Sequence, residues 1–139
     1  MKPYQVLVFG KTGCEKCKVL QKRVGDLLAR PEWAEAFDWQ YVDVETEEGL
    51  VQFCRAECIN PQRIPALLVT RFDPAAERHE PIPWSALGGP ETLPAASRLY
   101  LYVGLQTDYS PAGKGVISPR MIAATLEEAR RSARETVSA

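Results

Sequence analysis

A chain of 139 residues, 45% of them hydrophobic, is the size of one domain and can bury roughly two thirds of the surface that its unfolded form exposes. Its 17 basic and 18 acidic residues give a formal charge of −1, with no block of five or more like charges and no interleaved basic and aromatic patch, which argues against a nucleic-acid partner. The longest apolar runs are strand-length, far short of the ~20 residues of a membrane span, and "MKPYQVLVFG" lacks the features of a secretory signal, so a cytoplasmic protein with reduced thiols is expected.

Residues 4–9, "YQVLVF", are β-branched and aromatic enough to predict a strand buried on both faces. From Cys14 the period changes: Cys17, Leu20, Val24, Leu27 and Leu28 recur at threes and fours, while Lys16, Lys18, Lys22, Arg23 and Asp26 fall mostly on the other side. That predicts a helix, stopped at Pro31 or passing there into a second short one, "PEWAEAF". "WQYVDVE" at 39–45 returns to strand character, and its acidic tail leads into a helical segment at 47–58. The prolines of "INPQRIP" end that helix, and "ALLV" at 66–69 reads as a third, buried strand. Residues 73–98 hold five of the eleven prolines and the pair Gly88-Gly89 without a sustained period, which predicts an irregular insertion. "LYLYVG" at 99–104 is the expected fourth strand. After a loop, Ser118 as N-cap and Pro119 at the first helical position open a final helix. Its apolar stripe is Met121, Ile122, Leu126, Ala129 and Ala133, with Arg130, Arg131 and Arg134 toward its C-terminal end. The whole, 1–139, reads as a single α/β domain whose first two strands are parallel and whose later strands, where adjacent, are antiparallel.

The chemistry lies in "GKTGCEKC". Two thiols separated by two residues can close a small disulfide ring with little backbone movement. At a helix start, Cys14 would meet unpaired backbone N–H groups and the positive end of the helix dipole, both of which favour thiolate, and Lys11 and Lys16 would add positive potential. Cys14 is then the nucleophile that alkylates first, and Cys17, one turn further in, is the shielded thiol that resolves a mixed disulfide by attacking Cys14. Two alternatives stay open: small apolar filling at a helix start, and a zinc site combining the pair with Cys54 and Cys58. Beside Leu50, Val51 and Phe53, Cys54 is expected in the core. Cys58, at the end of that helix, is either structural like Cys54 or a partly exposed accessory thiol.

Strand, "GKTGCEKC", helix, strand, helix and then "RIPALLV" resembles the thioredoxin-like superfamily over residues 4–70 and, in outline, over 99–135. The lysine and threonine before the pair are closest in style to glutaredoxins. The resemblance implies a thioredoxin-like fold, with a central four-stranded mixed sheet flanked by helices and the insertion 73–98 between the third and fourth strands. It implies a cis bond at Ile64-Pro65 facing the redox pair; cis costs only about 0.5–1 kcal/mol before proline, and proline removes an N–H that would otherwise sit unpaired there. The implied activity is thiol–disulfide oxidoreduction on protein or small-molecule disulfides, with Cys14 and Cys17 catalytic and Lys11, Thr12, Gly13, Ile64 and Pro65 contacting substrate. No tightly bound cofactor and no metal are implied, and glutathione or a thioredoxin reductase would supply electrons. A non-enzymatic binding or redox-sensing module on the same fold, with the cysteines available to a metal, is the alternative. The chain departs from both subfamilies: Gly13 precedes the pair where thioredoxins carry tryptophan, the first strand has no acid, and "VGLQTD" lacks the Gly-Gly and acid with which glutaredoxins hold glutathione.

Other residues carry less. His79, among Glu77, Arg78 and Glu80, reads as a solvated loop residue. "SPAGKG" at 110–115 lacks the spacing of a phosphate loop, and Trp33, Trp39 and Trp84 read as packing residues.

Overall fold

In the computed structural model, which describes residues 2–55, 64–84, 93, 98–99, 102–107 and 117–138 (at 55 and 133–138 the backbone alone), the first apolar run forms β1, Tyr4–Gly10. The helix α1 follows, Glu15–Leu28, and buries Cys17, Leu20, Val24, Leu27 and Leu28, the expected stripe. Pro31 opens a separate short helix, α2, Pro31–Ala34, which buries Trp33 edge-on to Phe37. β2 spans Phe37–Asp43, two residues earlier than the sequence predicts. Its bounds are set by parallel pairing with β1, from Tyr4 opposite Phe37 to Gly10 opposite Asp43. The helix α3, Glu47–Arg55, is capped by Thr46, whose hydroxyl accepts from Gly49 N at 3.0 Å, and Glu47 and Glu48 favour the positive end of its dipole.

Cys54 is a correction to the sequence reading. It is exposed, not core. Among the described residues of α3, the inward-facing line is Gly49 and Phe53, four apart, so Cys54 is turned about 100° away by helix geometry. Leu50 and Val51, the apolar neighbours on which that expectation rested, are themselves roughly half exposed. Cys58 lies outside the described residues, as do Gly88-Gly89 and the loop 110–115.

β3, Ala66–Asp73, runs antiparallel to β1 with Phe9 opposite Ala66. Here the expected irregular insertion is partly regular, because Arg78–Pro81 form β4, a hairpin partner of β3 from Thr70 opposite Pro81 to Asp73 opposite Arg78. A short polar edge strand needs no apolar period, so composition does not betray it. Asp73 stabilises the turn by accepting from Ala75 N at 3.0 Å. His79 is therefore a strand residue, its ring edge-on to Phe72, and Arg78 and Glu80 form an ion pair. The strand expected at 99–104 is β5, Gly104–Gln106, antiparallel to β3 at Ala66 to Leu68. β4 and β5 thus share one edge of β3, and among the described residues the sheet has five strands, ordered β2-β1-β3-β4 with β5 also on β3, where four were expected.

α4, Pro119–Ser138, starts as predicted, with Ser118 Oγ accepting from Met121 N at 3.2 Å. Ile122, Leu126 and Ala129 are buried, and the side chain of Ala133 lies outside the described set. Arg130 and Arg131 are mid-helix, because α4 runs on to Ser138. Arg130 stacks 4.3 Å over the Trp33 ring and Arg131 pairs with Glu128. One sheet face packs Val6, Val8, Leu67 and Val69 against α1 and α4. The other packs Phe9, Val42, Ala66 and Leu68 against Phe53 of α3. Trp84 packs against the first of these cores and donates to Leu99 O at 3.0 Å. Helices on both faces of a mixed sheet opened by a β-α-β unit form the thioredoxin-like arrangement.

Candidate active site

β1 ends at Gly10, and three exposed residues, Lys11, Thr12 and Gly13, carry the chain to α1. Gly13 adopts φ +79°, a left-handed conformation that glycine takes without strain. Cys14 is the helix cap, not the first helical residue, with extended dihedrals and its sulfur accepting from Cys17 N at 3.2 Å. Cys14 and Cys17 are joined as a disulfide across a Cα separation of 5.2 Å, within the usual range for such a bond. The two sulfurs differ in access: Cys14 is half-buried, whereas Cys17 is 0% exposed. In the reduced protein the N-cap position favours thiolate at Cys14, since the N–H of Cys17 and the helix dipole both stabilise negative charge there.

Gly10 makes this packing feasible. A Cβ on it would lie 2.9 Å from both Cβ and Sγ of Cys17 and 3.0 Å from Cε2 of Tyr41. Gly10→Ala is expected to cost about 1–3 kcal/mol by overpacking and to push Cys17 outward. Thermal unfolding reads the first effect, and the alkylation rate of Cys17 in the reduced protein reads the second.

The end of β2 supplies the opposite wall. Thr12 donates from Oγ1 to Asp43 Oδ2 at 3.3 Å, and Asp43 Oδ1 accepts from Glu45 N at 2.9 Å. Burial first, and then the negative charges of Asp43 and Glu45, push the Tyr41 phenol above its ordinary pKa of 10.0. Tyr41, Asp43 and Gly10 were not singled out from sequence. The signals the sequence holds for them are the glycine that ends the first apolar run and the acidic tail of the second strand.

The Ile64-Pro65 bond is cis, as expected. With Phe9 opposite Ala66, Pro65 lies one residue beyond, at the sheet end that carries Gly10 and the cysteines. Pro65 O accepts from both N and Oγ1 of Thr107, at 3.2 and 2.6 Å. The side chain of Ile64 turns into the core beside Phe9 and Val42. The structure thus gathers Lys11, Thr12, Gly13, Cys14, Cys17, Ile64 and Pro65 at one end of the sheet. Among the described residues no three His, Cys, Asp or Glu side chains gather as for a metal ion, and no helix is long and apolar enough to cross a membrane.

Among solved structures, the oxidised form of mitochondrial thioredoxin 3 from Saccharomyces cerevisiae is similar to this chain, at 16% identity and a TM-score of 0.40. The match covers 58% of this chain and 64% of that one. No protein-family profile matches the chain, and no curated protein does.

Proposed function

We propose that the chain is a thiol–disulfide oxidoreductase acting through Cys14 and Cys17. The observation that carries this reading is the asymmetric pair at the start of α1: an accessible sulfur capping the helix and a buried one a turn behind it. In the reduced protein the Cys14 thiolate attacks one sulfur of a substrate disulfide, forming a mixed disulfide and expelling the other substrate sulfur as thiolate. Cys17, as thiolate, then attacks Cys14 Sγ, closing the Cys14–Cys17 bond and releasing the second substrate thiolate. Two electrons pass to the substrate, and glutathione or a thioredoxin reductase would return them. Lys11, Thr12 and Gly13 would border the incoming disulfide, with Pro65 and the backbone of Ile64 at the adjacent strand start. The setting would be a reducing, cytoplasmic one.

Insulin reduction with dithiothreitol, glutathione or thioredoxin reductase as the alternative electron source tests the reading and identifies the donor. Turnover that depends on the protein supports it. No acceleration with any donor, while the pair still cycles between dithiol and disulfide, overturns it in favour of a redox-sensing module.

A further inference from the structure

We propose that Tyr41 is a positioning residue that decides which sulfur of the pair reacts, its ring covering Cys17 so that Cys14 alone is open to an outside thiol or disulfide. This rests on the oxidoreductase reading and goes beyond it, since the helix turn that shields Cys17 does not by itself close the space beside Gly10. The helix places Cys17 inward, but against a glycine, where β1 offers no side chain to close the slot. Tyr41 borders it from the neighbouring strand: the point where a Cβ on Gly10 would sit lies 2.9 Å from Cys17 Sγ and 3.0 Å from Tyr41 Cε2. The ring and the sulfur therefore converge on the space that the missing Cβ leaves. Parallel pairing fixes this placement, because Val8 is opposite Tyr41 and Gly10 opposite Asp43.

The chemistry of the phenol suits a cover. A phenol with an ordinary pKa of 10.0 is already uncharged through the neutral range, and burial with the carboxylates of Asp43 and Glu45 pushes it higher still, so the Tyr41 ring carries no charge beside the sulfur. An apolar neighbour raises the pKa of a buried thiol and keeps it inert. An outside reagent then meets Cys14 at the cap first, and Cys17 reacts only when the mixed disulfide brings Cys14 Sγ to it. The order of attack is set by the difference between the two environments, with the cap acting on Cys14 and the ring on Cys17.

The test is alkylation of the reduced protein with iodoacetamide across a pH series, with the labelled site mapped by mass spectrometry. In the native protein and in Tyr41→Phe, Cys14 is expected to react first and Cys17 only after denaturation. In Tyr41→Ala, Cys17 is expected to label in the folded state about tenfold faster or more, with its rate rising at lower pH than in the parent, as removal of an apolar cover should produce. Near-UV circular dichroism establishes that the variant is folded, and Tyr41→Val, a better strand former, replaces it if alanine does not fold. Labelling of Cys17 as slow in the folded small-residue variant as in the parent overturns the proposal. So does equal exposure in Tyr41→Phe, which would assign the effect to the hydroxyl. Insulin reduction by the native protein is scored separately: its absence would remove the oxidoreductase reading while the labelling pattern still decides the role of the ring.

Discussion

Cys14→Ser is expected to bring disulfide exchange down to the rate of the buffer alone, with α1 intact. Serine is among the best N-cap residues, and its oxygen can accept from Cys17 N as the sulfur does now, so the helix start should survive the substitution. What is lost is the nucleophile, because a serine hydroxyl without an adjacent base does not ionise near neutral pH. Cys17→Ala should behave differently. The first attack by Cys14 still occurs, but nothing resolves the mixed disulfide, and the substrate remains attached. Alanine is preferred to serine at this site because Cys17 is fully buried, and an unpaired hydroxyl there would cost about 1–3 kcal/mol. Intact-mass measurement under non-reducing conditions should show an adduct at Cys14 of Cys17→Ala and none on Cys14→Ser. An adduct at Cys17 of Cys14→Ser, at a rate comparable with the parent, would reverse the two roles.

The parts of the site that could be read from sequence are those that depend on neighbours in the chain. The CxxC spacing, the apolar run ending at Gly10 and the change of period at Cys14 place two sulfurs at a helix start, since each is a local property. Ser118 and Pro119 are legible at the start of α4 for the same reason. The residues that complete the site come from pairing across the sheet. Tyr41 and Cys17 border the same space above Gly10 only because β2 pairs in parallel with β1 in one register, and no local pattern in "FDWQYVD" specifies that register. Cys54 shows a related failure: it directly follows Phe53, and a helix turns about 100° in that step, so apolar neighbours in sequence are a poor guide to its burial. β4 escaped notice because a four-residue edge strand of Arg78, His79, Glu80 and Pro81 is held by the ladder of β3 and not by an apolar face of its own.

Gly49→Ala is expected to be among the most destabilising single substitutions in the described part of the chain. A Cβ at Gly49 would lie 1.8 Å from Asp43 O and 2.6 Å from the Asp43 carbonyl carbon, so the obstacle is backbone and no rotamer change relieves it. The first turn of α3 must lift away, or the end of β2 must move. Either shift breaks the Thr46 cap, whose hydroxyl both donates to Asp43 O at 2.8 Å and accepts from Gly49 N at 3.0 Å. Overpacking costs typically 1–3 kcal/mol, and a backbone clash with a lost cap belongs at the upper end, about 3 kcal/mol, which for a domain of this size lowers Tm by on the order of 10 °C. The sign makes the measurement decisive, because in an unobstructed helix the same change would stabilise by about 0.5–1 kcal/mol. Leu50→Ala, one residue on and half exposed, should stay within about 0.5 kcal/mol of the parent. Asp43 also receives the hydroxyl of Thr12, so displacement of the β2 end should loosen the loop before Cys14, and disulfide exchange in Gly49→Ala should slow at temperatures where the variant is still folded. A thermal melt unchanged from the parent would mean that α3 does not approach Asp43 this closely.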